Sequence, residues 1–197
     1  MVLSREFYAR DSAIVARELL GKKLVRRLDD ILLTGIITEV EAYYGREDSA
    51  SHAFKGETPR NSVMFGPAGL SYVYFVYGKH YMFNIVTQEE GSAAAVLIRA
   101  IYPIDGVQKM QQYRNGNDQH IADGPARLCQ AFDIDKKLNR LDLTRGKHVW
   151  LEQGIHMGEE WIKCGPRIGI SYADAKDVNA RLRFWLPVNA MERKSAV

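Results

Sequence analysis

The segment Ile37-Thr38-Glu39-Val40-Glu41-Ala42-Tyr43 sets two carboxylates two residues apart in an apolar, β-branched run. On a strand, side chains alternate between faces, so Ile37, Glu39, Glu41 and Tyr43 are expected on one face. Carboxylates among apolar neighbours are costly to bury. The pattern fits an edge strand with a wet face, or a carboxylate held at a pocket wall as a general base. Glu41 stands where this strand gives way to a polar, Gly- and Pro-containing stretch over 44–69 that carries His52 and Arg60. A loop that long in a compact domain is usually functional. Tyr72, Tyr74, Phe75, Tyr77, Tyr81 and Phe83 then place six aromatics in twelve residues. Phe75 and Phe83 read as sheet core. Tyr77 lies beside Gly78, Lys79 and His80 at an expected hairpin tip. There a ring can cap a turn or act as a wedge between stacked bases. His52 is a lone histidine, a residue more often a structural donor than a catalyst. In Thr58-Pro59-Arg60-Asn61 a guanidinium is available to a phosphate.

Other chemistries lack their residues. The sequence has no Gly-rich phosphate loop and no dinucleotide fingerprint. It has no Gly-x-Ser-x-Gly elbow. The histidines at 52, 80, 120, 148 and 156 have no metal-ligand spacing, and Cys129 and Cys164 form no CxxC pair. Neither a metal nor a cofactor is expected, so catalysis would fall to ordinary side chains and water. Two cysteines read as thiols of a reducing cytosol. A secretory leader and a membrane span are not expected, which points to a cytoplasmic protein. The 197 residues carry a net charge of +3, all of it in 101–197. Such mild basicity is compatible with a polyanionic partner without requiring one.

These groups must be positioned by a fold that the pattern outlines. A helix over 11–21 opens on Asp11 and closes on Gly21. Strands are expected over Lys23–Leu28, Ile31–Tyr43 and Ala93–Ile101, and a hairpin over 70–87 with Gly78 in its connection. Pro103–Arg114 and Asp123–Phe132 read as helices, the second with Asp123 as N-cap and Pro125 in its first turn. Short strands follow over 147–152, 161–172 and 181–186. The order implies a mixed α/β single domain over 1–197, with a mainly antiparallel curved β-sheet, surrounding helices and a protruding hairpin.

Taken in order, Ile37–Tyr43, Ser51-His52, Thr58-Pro-Arg-Asn61, Met64-Phe65, Tyr72–Gly78, Asn84, Leu97-Ile-Arg-Ala100 and Asp123-Gly-Pro-Ala-Arg-Leu-Cys-Gln-Ala131 resemble the alkyladenine (3-methyladenine) DNA glycosylase family. The likeness runs from about residue 5 to residue 186. It implies a monofunctional enzyme that flips alkylated or deaminated purines out of double-stranded DNA and hydrolyses the N-glycosyl bond, leaving an abasic site. Glu41 would activate the water and Arg99 would help to hold it. Tyr43 and Tyr74 would sandwich the base, His52 and the backbone from Ala50 would meet its edge, and Asn84 would crowd out normal guanine. Tyr77 would fill the gap in the duplex. Arg60, Lys79, Lys136 and Lys137 would meet phosphates. Such a lesion searcher is expected to act as a monomer on the nucleoid. The tail Arg183–Ala190 departs from the family's Gly-x-Pro-x-Val-Ser ending, and two to three residues are added in Thr87–Ala95. Glu39 remains a rival base. A binding module that detects distorted DNA and a metal-dependent nuclease using Glu39 and Glu41 are the readings from other classes.

Overall fold

The structure, a computed structural model, describes residues 1–76 and 78–187. Two helices open it, α1 (Arg5–Tyr8) and α2 (Ser12–Leu19), followed by strands β1 (Lys23–Leu28) and β2 (Ile31–Tyr43). After the 44–69 segment come β3 (Ser71–Val76), β4 (His80–Thr87) and β5 (Ala94–Asp105), then helices α3 (Val107–Tyr113) and α4 (Pro125–Ala131). The remainder supplies β6 (Val149–Glu152), β7 (Lys163–Gly165), α5 (Ala175–Asn179) and β8 (Arg183–Trp185). The strands form one curved antiparallel sheet in the order β3-β4-β5-β2-β1-β6, with β8 beside β2 and β7 beside β8. The expected mixed α/β class and antiparallel sheet are therefore present.

Helix α2 starts where Asp11 accepts hydrogen bonds from the amides of Ala13 and Ile14, satisfying donors that a helix start leaves open. It buries Val15, Ala16 and Leu19 against the sheet and stops ahead of Gly21. Gly21 has φ +85°, and a Cβ there would stand 2.5 Å from the Ile155 carbonyl oxygen, so both the turn and the packing require glycine. The main core joins this face to Phe83, Ile85, Val96, Ile98 and the α4 residues Leu128 and Cys129. On the opposite face of β3, β4 and β5, Tyr72, Val86 and Ala95 pack with Ala53, Val63 and Met64 of the long polar segment. The sheet thus faces the main core on one side and the 44–69 loop on the other.

Strand β2 serves two neighbours in succession along one edge: β1 over Ile31–Ile36 and β8 over Glu39–Glu41. Its other edge pairs with β5, with register shifts between Ile37 and Glu39 and between Glu39 and Val40. This irregularity corrects the expected alternation. Ile37, Val40 and Ala42 all enter the main core. One extra residue at Thr38 therefore turns Ile37 to the face opposite Glu39 and Glu41.

Further expectations are corrected. Phe75 is exposed, because it lies on the face of core residue Val73 but beyond the end of that layer, where it meets its cross-strand partner Tyr81 at 4.9 Å. The helix expected from Pro103 begins only at Val107, since β5 continues to Asp105. Pro103 pairs with Gly35 of β2 beyond the last β4 partner, Leu97, and an edge tolerates the missing N–H. Gly124, not Asp123, holds the N-cap position of α4, with Pro125 in the first turn as expected. Asp123 instead pairs with His120 and Arg127. Of 161–172 only Lys163–Gly165 is strand. Among the described residues no helix is long and apolar enough to cross a membrane.

Candidate active site

Opposed residues in paired strands lie on one face, and the register lines up Tyr72 of β3, Asn84 of β4, Leu97 of β5 and Glu41 of β2 across the sheet. Two residues beyond Tyr72 and Leu97 on this face are Tyr74 and Arg99; two beyond Glu41 is Tyr43. Between Val40 paired with Ile98 and Glu39 paired with Ala100, Arg99 is the extra residue of β5. Bulges in two adjacent strands thus bring one guanidinium between two carboxylates. Arg99 donates from Nε to Glu39 at 2.8 Å, and its Nη1 lies 3.2 Å from Glu41 Oε2. Burial alone would lower its pKa, but Glu41 and Glu39 outweigh burial and raise it, so it stays a cation.

Glu41 has no solvent-exposed surface. Its Oε1 accepts the backbone N–H of Ile168 at 2.8 Å, and its Oε2 accepts the Tyr43 hydroxyl at 2.9 Å. With Arg99 it therefore meets three donors. A carboxylate offers about four lone-pair sites, so these three donors leave one of them unclaimed. Burial, then the adjacent Glu41 charge, raise the Tyr43 phenol well above its ordinary pKa, keeping it a neutral donor.

Behind Tyr43 lies a fully buried ion pair. The Arg167 guanidinium stands 4.6 Å from the centre of the Tyr43 ring and makes a two-pronged contact with Asp48. It also donates to the carbonyl of Ala42 at 3.0 Å and to that of Asp177 at 3.3 Å. Asp48 in turn accepts the amides of Tyr44 and Ala50, each at 3.0 Å. One pair thus ties the end of β2, the loop after it and the 166–170 segment together. Gly45 keeps this loop close to the β4–β5 connection: a Cβ there would fall 2.1 Å from the Ser92 carbonyl oxygen.

The opposite wall is aromatic. Tyr74 tilts against Tyr72 at 5.0 Å, and His52 meets Tyr74 edge-on at 4.5 Å. His52 Nδ1 is 2.8 Å from the Tyr72 hydroxyl. Burial in this wall and then the Arg60 charge lower the His52 pKa to about 4, so the ring is neutral near pH 7. Arg60 stands over Tyr74 at 5.2 Å and donates to the Phe75 carbonyl. Asn84 is buried, donating from Nδ2 to the Tyr72 carbonyl at 3.1 Å. Ala50 also lies here, its N–H engaged by Asp48 and its carbonyl by the Tyr172 hydroxyl.

Glu41, Arg99, Tyr43, Ala50, His52, Tyr74, Asn84 and Arg60 are therefore gathered on one side of the sheet. Lys136 and Lys137 are exposed on a short turn after α4, whose Leu138 and Asn139 bond to β3 through Ser71 and Val73. Lys79 lines a cavity of about 330 Å3 formed with Tyr113, Gln130, Asp133 and Asp135, whose lining includes neither Glu39 nor Glu41. Tyr77 lies outside the described residues. Sequence reasoning missed Asp48, Arg167 and the Ile168 amide. The one available signal was Gly165-Pro166 just ahead of Arg167, which breaks a strand pattern and forces irregular backbone. Among the described residues no group of three or more His, Cys, Asp or Glu could hold a metal ion.

Known proteins resemble this chain over most of its length. The model of the methylpurine-DNA glycosylase (MPG) family matches residues 6–190. A relative from Carboxydothermus hydrogenoformans is 49% identical over 172 residues, 87% of this chain and 90% of the relative. One from Desulfitobacterium hafniense is 47% identical over 186 residues, covering 89% and 91%. One from Clostridium acetobutylicum is 44% identical over 188 residues, covering 90% and 91%. Each bears the name "Putative 3-methyladenine DNA glycosylase".

Proposed function

The chain belongs to the methylpurine-DNA glycosylase family, hydrolases of N-glycosyl bonds in DNA, and from that premise we propose that it excises alkylated and deaminated purines from duplex DNA as a monofunctional glycosylase, with Glu41 as general base. The supporting observation is the fully buried Glu41 carboxylate, held by Arg99 and the Ile168 amide beside a wall of tyrosines.

The chemistry follows from that placement. Rupture of the glycosyl bond develops positive charge on the sugar, as in other glycoside hydrolysis. A preorganised anion stabilises that charge, and the same carboxylate takes a proton from the attacking water. An alkylated purine such as 7-methylguanine is already cationic and leaves without a protein acid. The target must leave the duplex to reach this site, which costs least for damaged bases. Tyr43 and Tyr74 offer π faces that favour cationic purines. Among the described residues no lysine is bonded to Glu41, Arg99 or Tyr43, which supports attack by water rather than an amine and a strand left intact.

The test is incubation with duplexes holding one 7-methylguanine or hypoxanthine, in EDTA. Free base and an alkali-sensitive abasic site are expected, with Glu41→Gln binding the lesion but releasing no base. Retention of the duplex without product in the unmodified protein would make it a damage-binding module. Loss of cutting in EDTA would make it a metal-dependent nuclease.

A further inference from the structure

Glu39 has no part in the steps above, yet the site spends much of its charge on it. Arg183 of β8, Glu39 of β2, Arg99 of β5 and Glu41 of β2 form a row of alternating charge across three strands. Arg183 Nη1 lies 3.2 Å from Glu39 Oε1, and the same oxygen accepts Arg99 Nε at 2.8 Å. Arg99 then reaches Glu41 with Nη1 at 3.2 Å. The Arg99 and Glu39 side chains are only 11% and 21% exposed, so salt screens them weakly.

Resting on the assignment of Glu41 as base, we propose that Glu39 is a positioning residue that holds Arg99 by Nε and shares its charge, so that the guanidinium does not fall on Glu41 alone. Every charged or titratable neighbour enters this balance. Glu41 faces Arg99 from β5, Tyr43 on its own strand, Tyr74 from β3, and Arg167 with the Ile168 amide from the 166–170 segment. Glu39 faces Arg99 and, from β8, Arg183. Arg167 is paired with Asp48, which leaves two acids against two guanidiniums.

Taking the charge off Glu39 removes a like charge from the neighbourhood of Glu41 and frees Arg99 to bind Glu41 alone. Both changes favour the ionised form of Glu41 and make it a weaker base. Removing Arg183 works in the opposite sense. A merely structural part for either residue predicts lost stability, not opposite displacements of a pH profile.

The test is single-turnover excision of 7-methylguanine as a function of pH, since this cationic base needs no proton from the enzyme. Glu39→Gln keeps an acceptor for Arg99 Nε. Its acid limb is expected to move to lower pH by about half a unit to one unit, with a plateau a few-fold lower. Arg183→Gln is expected to move that limb to higher pH, and it reads the same balance if Glu39→Gln folds poorly. Superimposed profiles, or displacements in the same direction, overturn the proposal. So does a Glu39→Gln protein as inactive as Glu41→Gln, which would make Glu39 the base. Wild-type rates in Glu41→Gln would instead sink the assignment of Glu41 itself.

Discussion

Asp48→Ala leaves the Arg167 guanidinium buried without its carboxylate partner, beside the Ala42 and Asp177 carbonyls and the Tyr43 ring, and its cost follows from the surroundings. The two side chains are 3% and 0% exposed, so the stranded cation has no solvent to turn to. Breaking a buried pair by deleting one partner costs about 3–5 kcal/mol. The amides of Tyr44 and Ala50 lose their acceptor as well. For a chain of this size each kcal/mol lowers Tm by about 2–4 °C, so a fall of roughly 6–20 °C is expected. The companion is the double variant Asp48→Ala/Arg167→Met, which removes the stranded charge and fills the space with an apolar chain. In a urea titration it should recover the share of the loss that comes from the stranded charge, leaving the unpaired Tyr44 and Ala50 amides and the Ala42 and Asp177 carbonyls that Arg167 served. The double variant also lacks the cation behind Tyr43 and should excise more slowly than the wild type while folded. A single variant destabilised by less than about 1 kcal/mol, as an exposed pair would be, refutes the reasoning. Single and double variants of equal stability would refute it too.

Three further outcomes follow. Below its ordinary pKa, unfolded His52 takes up a proton that the folded ring, with a pKa of about 4, refuses. The unfolded state then binds more protons, so stability falls as pH drops from about 6.5 towards 4; His52→Asn should flatten that limb in a Tm-versus-pH series. Lys136→Ala and Lys137→Ala should each reduce the slope of log K against log salt by about 0.9 if their ammoniums meet phosphates, with the loss equal for damaged and undamaged duplexes. Phe83→Ala empties the fully buried heart of the main core and should cost about 3–5 kcal/mol in urea unfolding, with the excision rate of the folded fraction little changed.

Much of this was legible in the sequence, for reasons that differ by residue. The β3–β4 hairpin is set by local alternation and a Gly78 with φ +67°, features that a short stretch of chain contains whole. The nearness of Glu41 and Arg99 came from the family resemblance. It has a physical basis in two long strands whose register pairs Glu41 with Leu97. The bulges at Thr38 and Arg99 were not legible, because an inserted residue leaves the composition of a strand unchanged and shows only in which partners it skips. The face of Ile37 was misread for that reason. Phe75 was misread because alternation tells which side a ring takes but not where the layer beneath it ends. The Arg167–Asp48 pair joins residues 119 apart through irregular backbone, where no periodicity points from one to the other.

The order in which the chain is made has a consequence for the centre it builds. A ribosome delivers Glu41, Tyr43, Tyr74 and Arg99 early, but the Ile168 amide, the Arg167 cation and the β8 partner of Glu39 emerge only with the last stretch. An unfinished polypeptide therefore has Glu41 without the amide that binds it and without the cation behind Tyr43. On the proposed role of Glu41, a chain halted before residue 165 is expected to excise nothing, so that competence comes only with the late segment.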